Sequence, residues 1–202
     1  MCGEHHRYFI IHKPYDMVSQ FVSPHNVKLL GHLDYNFPEG THAIGRLDKN
    51  SEGLLILTTN KKVTAKLFQS IIPHKRTYFV QVKNSISEEA LNKLRTGVSI
   101  RVKGGSFYTT APCDASIAVK VDLSKISLQG DENMPGTWFS VTLTEGKYHQ
   151  VRKMIAAVHH RCKRLIRVAI DEMELGDLPP GGIKEIEEKD FYSQLKIEYS
   201  EL

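Results

Sequence analysis

The feature that most constrains this chain is the run Leu54-Leu55-Ile56-Leu57, nearly continuous in apolar character and extending to Thr59. Such a short run reads as a buried strand. Just ahead of it stand Gly45-Arg46-Leu47-Asp48, which put a flexible glycine, a cation and one carboxylate at the mouth of that strand. A carboxylate on a loop held by strands is well placed for chemistry. The plainer reading is a turn aspartate bonding to nearby amides.

The remaining pattern mixes strands and helices without a repeat. Tyr8-Phe9-Ile10-Ile11 reads as a strand entering the turn Lys13-Pro14-Tyr15, and Thr77 to Lys83, Val98 to Val102 and Ala115 to Val121 read as further strands. Asn60 caps a helix that uses Val63, Leu67 and Phe68 before Pro73 interrupts, and Ser87 starts a second helix that Gly97 stops. After a polar loop from Ser124 to Gly136, Phe139, Val141 and Leu143 share one face of a strand. Val151, Met154, Ile155 and Val158 then form the stripe of an amphipathic helix. From Lys163 to Ile170 the chain alternates, with Ile166, Val168 and Ile170 toward a core and Lys163, Leu165 and Arg167 on the other face. No dinucleotide fingerprint, phosphate loop or regular βαβ series appears, so the expected class is α+β, a largely antiparallel mixed sheet flanked by helices.

With 202 residues and 41% hydrophobic content, the chain can bury a core as one or two units. No apolar run approaches the ~20 residues of a membrane span, and the N-terminus lacks the regions of a signal peptide, so a cytoplasmic protein is expected. Cys2, Cys113 and Cys162 are scattered, and His5-His6 and His159-His160 lack ligand spacing, so neither disulfide nor metal is expected. The net charge of +4 is unevenly spread. Between Lys147 and Arg167 lie seven basic residues and no acid, whereas residues 171–202 hold ten acids against three bases. The basic segment suits a polyanion, unless the acidic tail neutralises it as an ordinary solvated face.

Four ordered motifs carry a family resemblance: His12-Lys13-Pro14; Ile44-Gly45-Arg46-Leu47-Asp48 with Ser51-Glu52-Gly53-Leu54-Leu55; Arg76-Thr77-Tyr78-Phe79-Val80; and Glu145-Gly146-Lys147-Tyr148-His149-Gln150-Val151-Arg152-Lys153-Met154. Together they resemble the RNA pseudouridine synthases that modify single sites in bacterial ribosomal RNA. The likeness is closest to the E-type, large-subunit branch, which lacks the small N-terminal RNA-binding domain. His12 in place of Asn, Asp16 in place of Gly and Ser51 in place of Thr depart from the pattern.

That resemblance implies one catalytic domain over residues 6–196 with a central cleft, divisible into two subdomains near residues 60–75 and rejoined by 137–170. It implies conversion of a uridine in ribosomal RNA, with large-subunit (23S) RNA expected, to pseudouridine on a flipped-out nucleotide. Asp48 takes the place of the nucleophile, attacking ribose C1′ or uracil C6. Tyr78 takes that of the tyrosine meeting the base, against the alternative of a core aromatic beside Val80 and Val82. Arg152 takes that of the cation paired with Asp48, against the alternative of an exposed arginine on phosphate. Leu165 either touches the base or simply packs. Arg46, Leu47, Lys13, His149, Gln150, Lys153 and Arg167 complete the expected RNA contacts, with His149 and Gln150 alternatively bracing their turn. No cofactor, no metal, no membrane and a monomer acting on ribosomal RNA or a pre-ribosomal particle are expected. A catalytically silent RNA-binding or assembly factor of the same fold is one rival reading, and a hydrolase acting on a small phosphorylated or acylated substrate through Asp48 is another, although no phosphate loop or metal ligands support it.

Overall fold

The two N-terminal apolar runs pair with one another and found the sheet. The structure, a computed structural model, describes residues 5–68, 73–117 and 136–198. Its elements in chain order are β1 (Tyr8–Lys13), β2 (His42–Ile44), β3 (Glu52–Thr58), α1 (Lys61–Phe68), β4 (Arg76–Val82), α2 (Glu88–Thr96), β5 (Ser99–Arg101) and β6 (Phe107–Thr109). There follow β7 (Asp114–Ile117), β8 (Thr137–Leu143), α3 (Gln150–Ala157), β9 (Cys162–Ile170), β10 (Met173–Glu174), β11 (Ile183–Ile186) and α4 (Glu188–Gln194). A single 3-10 turn at Leu30–His32 interrupts the long connection between β1 and β2.

Among the described residues the main sheet runs β11-β1-β3-β9-β4-β8-β7, with β2 and β10 appended to β3 and β9. Every pairing is antiparallel except that of β3 with β9, which is short and parallel, placing Glu52 opposite Ile166 and Gly53 opposite Arg167. The sheet is therefore mixed and mostly antiparallel. Strand β9 is the seam, because β3 lies on one side of it and β4 on the other.

Gly53 makes that seam possible. Its φ is +98°, and a Cβ there would stand 2.3 Å from the Arg167 carbonyl oxygen. Only glycine lets the backbones approach so closely in that conformation. Across the same junction the half-hidden Arg164 guanidinium grips the Glu52 carboxylate at 2.7 and 2.9 Å. A second buried pair, His74 with Asp171, fastens the turn after β9 to the start of β4, and Asp171 also accepts from Lys75 N at 2.8 Å.

Three apolar clusters fill the two faces of the sheet. One joins α2 and α3 to β4, β8 and β9; a second packs α1 and α4 beneath β1, β3 and β9; a third lies over β1 and β3 under the residue 17–37 connection. The caps follow the residues expected of them: Asn60 Oδ1 accepts from Lys62 N, and Ser87 Oγ accepts from Ala90 N.

One expectation changes. Lys163, Leu165 and Arg167 were expected to face away from a core, but Leu165 and Arg167 are both buried, at 4% and 2% exposure. A central strand covered by α3 on one face and α1 and α4 on the other has no solvent side. Strands β2, β6, β10 and β11 and helix α4 also carry no readable periodicity, because each is short. The expected strand over 115–121 is described as far as Ile117, and the expected loop 124–136 lies outside the described residues apart from Gly136. No helix among the described residues is long and apolar enough to cross a membrane.

Candidate active site

Asp48 sits in the turn between β2 and β3, where its carbonyl accepts from Ser51 N at 3.0 Å. The preceding residue is clamped at both backbone groups: Leu47 N donates to Ser19 Oγ at 3.0 Å, and Ser19 Oγ donates to Leu47 O at 2.9 Å. Leu47 is itself buried in the core over β1 and β3. The carboxylate thus rides on a turn whose backbone has little freedom.

Three cations fasten the same turn through its carbonyls rather than through acids. Arg167 donates to Gly45 O and Leu54 O, each at 2.8 Å. Lys13 Nζ donates to Met17 O at 2.7 Å, Pro14 O at 2.8 Å and Lys49 O at 3.3 Å. Arg152 donates to Asn50 O and, at 3.5 Å, to Ser51 Oγ. Bonds to neutral carbonyls leave these positive charges uncancelled. Asp48 is among the charges that act on both Lys13 and Arg167. Burial pushes the Lys13 ammonium down to about 8, partly opposed by Glu52, Asp48 and Asp16. Burial likewise lowers Arg167, with Tyr78 the leading opposing influence.

These positions revise several expectations. Arg152 does not pair with Asp48, because its position on α3 aims the guanidinium at the carbonyl two residues downstream. The buried cation nearest in role is Arg167, on the seam strand. Lys13 is fully buried and cannot meet RNA at the surface. Arg167 is equally withdrawn, although it lines the cavity wall. Gln150 is buried and braces its turn, accepting from Lys147 N at 2.7 Å and donating to Glu145 at 2.5 Å. Lys153, on α3, lies behind Tyr148 rather than along the cavity.

The turn opens on a cavity of about 670 Å³, a volume ordinary for a small-molecule or nucleotide site. Its lining includes apolar side chains, Leu47, Tyr78, Leu143, Val151 and Leu165, and polar ones, Arg46, Arg76, Asp48, Lys147 and His149. Tyr78 lies opposite Arg167 in the β4–β9 register, half-buried between two apolar clusters. His149 Nε2 stands 3.4 Å from Asp48 Oδ1. The helix start that carries His149 has a left-handed residue there, φ 55°, which swings the ring back toward Asp48. Sequence reasoning passed over Arg76, Glu145 and Tyr148 at this site, although all three stand inside the quoted motifs. Among the described residues no cluster of three His, Cys, Asp or Glu side chains is arranged to hold a metal ion.

Residues 7–157 match the family model described as RNA pseudouridylate synthase. The chain belongs to the RNA pseudouridylate synthase family. This synthase is 36% identical over 184 residues to a protein of Vibrio parahaemolyticus named ribosomal large subunit pseudouridine synthase E, covering 91% of this chain and 75% of the relative. A protein of the same name from Xanthomonas axonopodis is 32% identical, covering 85% and 89%. A crystal structure of a pseudouridylate synthase superposes with a TM-score of 0.76 at 22% identity, covering 96% of this chain and 76% of the other, and so shares its fold. The synthase is an enzyme, and its cavity is the place to look for its chemistry.

Proposed function

We propose that this synthase converts a uridine of large-subunit ribosomal RNA to pseudouridine, with Asp48 as the nucleophile. The observation that carries the reading is the half-buried Asp48 carboxylate on a fastened turn, lining a nucleotide-sized cavity that combines apolar and cationic side chains. The ribosomal substrate rests on the names of the relatives.

The isomerisation breaks the bond from ribose C1′ to uracil N1 and forms one from C1′ to C5. The C5 proton leaves and N1 gains one, so the atoms balance without an outside oxidant. A nucleophile must hold the sugar or the base while the ring turns, and a carboxylate that forms a covalent adduct at C1′ or C6 does so. Tyr78 packs against the uracil, and its phenol carries the proton. Leu165 closes the floor beneath the ring. Lys13, Arg152 and Arg167 act through the turn they fasten, while Arg46 and Lys147 meet phosphates at the exposed rim. His149 must yield its contact with Asp48 when the nucleotide enters. Residues 6–196 serve as one catalytic unit, acting as a monomer in the cytoplasm.

Asp48→Asn tests the reading. It removes the nucleophilic charge while keeping the shape, so conversion in a ribosomal RNA transcript should fall below detection while RNA is still retained. Full activity in that variant would sink Asp48 as nucleophile. Loss of all RNA binding would place it in recognition instead.

A further inference from the structure

The rim of the cavity carries an aromatic ring that neither the core nor the proposed chemistry uses. Tyr148 is 73% exposed. Its ring nevertheless has a fixed station: it stacks on His149 with centroids 3.9 Å apart and planes 19° apart, and the Lys153 ammonium lies 5.4 Å from its centroid. His149 in turn reaches Asp48 at 3.4 Å. The turn that presents both rings is held by Gln150 through Lys147 N and Glu145. An ordered, solvent-facing ring two contacts from the reacting carboxylate has no packing purpose.

We propose that Tyr148 is a stacking platform for the nucleobase next to the target uridine in a single-stranded stretch of RNA. The proposal rests on the uridine-isomerase reading and extends it to a second base site. A uridine that swings out to Asp48 deprives its neighbour of a stacking partner. A flat ring at the rim restores one. Lys153 against the ring, and Lys147, exposed at the same rim with its ammonium over Tyr108, supply positive charge for the flanking phosphates, and an aromatic face among cations is the arrangement with which proteins hold single strands. Since every base has a π-face, the platform holds the flank of the target without reading its identity strongly.

The test uses binding, so that it stands apart from turnover. In a short single-stranded RNA with one uridine, 2-aminopurine is placed directly 5′ or 3′ of it. Its fluorescence should be quenched by the wild type on one of the two sides, and replacement of that base by an abasic site should weaken binding roughly 10- to 100-fold. Tyr148→Ala should lose the quenching, bind weaker by a similar factor and ignore the abasic site; Tyr148→Phe and Tyr148→Trp should restore all three. The abasic arm needs only the wild type, so a poorly folding variant does not rescue the idea. Wild-type affinity indifferent to the neighbouring base on both sides overturns the platform, as does quenching that survives in Tyr148→Ala. A wild type that quenches but never converts uridine supports the platform and sinks the isomerase reading; one that converts uridine yet ignores the flank does the reverse.

Discussion

Asp48 owes its setting to three side chains that never touch it. Lys13, Arg152 and Arg167 each send a donor to a carbonyl of the turn, so they position the carboxylate and leave positive potential around it. Lys13 gives a measurable signature. Its ammonium titrates near 8 in the folded state against an ordinary 10.5, so between those values the unfolded chain holds more protons and stability rises with pH. Below pH 8 both states are protonated and the contribution is flat. Urea unfolding of wild type and Lys13→Met at pH 7, 9 and 10.5 should therefore show a difference that grows with pH in favour of the wild type. At pH 7 the variant should already be weaker by about 2 kcal/mol, because buried carbonyls lose a charged donor. A pH-independent difference would contradict this account. The identity of the turn was legible in the sequence because Gly45 to Asp48 is local. The choice between Arg152 and Arg167 was not, since it depends on which carbonyls a remote strand and a helix bring within reach.

Strand β9 shows the same limit for a whole element. Its alternation predicts a strand correctly, but alternation cannot tell a solvent face from a face that lines a cavity. Arg167 is polar and buried because the carbonyls of Leu54 and Gly45 satisfy it. Strands β2 and β11 were invisible because three or four residues at an edge leave no pattern to read. The seam between β3 and β9 yields two predictions. Gly53→Ala should destabilise the fold by about 3 kcal/mol or more, measured by chemical denaturation, since the left-handed φ and the Arg167 carbonyl both oppose a methyl group. Arg164→Met should cost roughly 3 kcal/mol by stranding the buried Glu52 carboxylate. It should do so without changing the salt dependence of RNA binding, because this arginine is engaged within the protein rather than offered to phosphate. A changed salt slope would return Arg164 to the interface.

Across the whole molecule, the seven basic residues that the sequence gathers into one segment disperse into different tasks. Arg152, Arg164 and Arg167 are structural, whereas Lys147 stands exposed at the rim together with Arg46 from the Asp48 turn. Neutralising Arg46 and Lys147 together should lower the slope of log affinity against log salt by about 1.4, at ~0.7 per phosphate contact on a single strand. An unchanged slope would move the RNA path to another face. The seam has one more consequence. Asp48 and the arginine that steadies its turn are separated by more than half the chain, and they meet only where β3 lies along β9. During synthesis Lys13 and Ser19 are available to the Asp48 turn early, yet its bond from Arg167 to Gly45 O cannot form until Arg167 has left the exit tunnel. The setting of Asp48 is thus completed only near the end of synthesis, by the order in which its residues arrive.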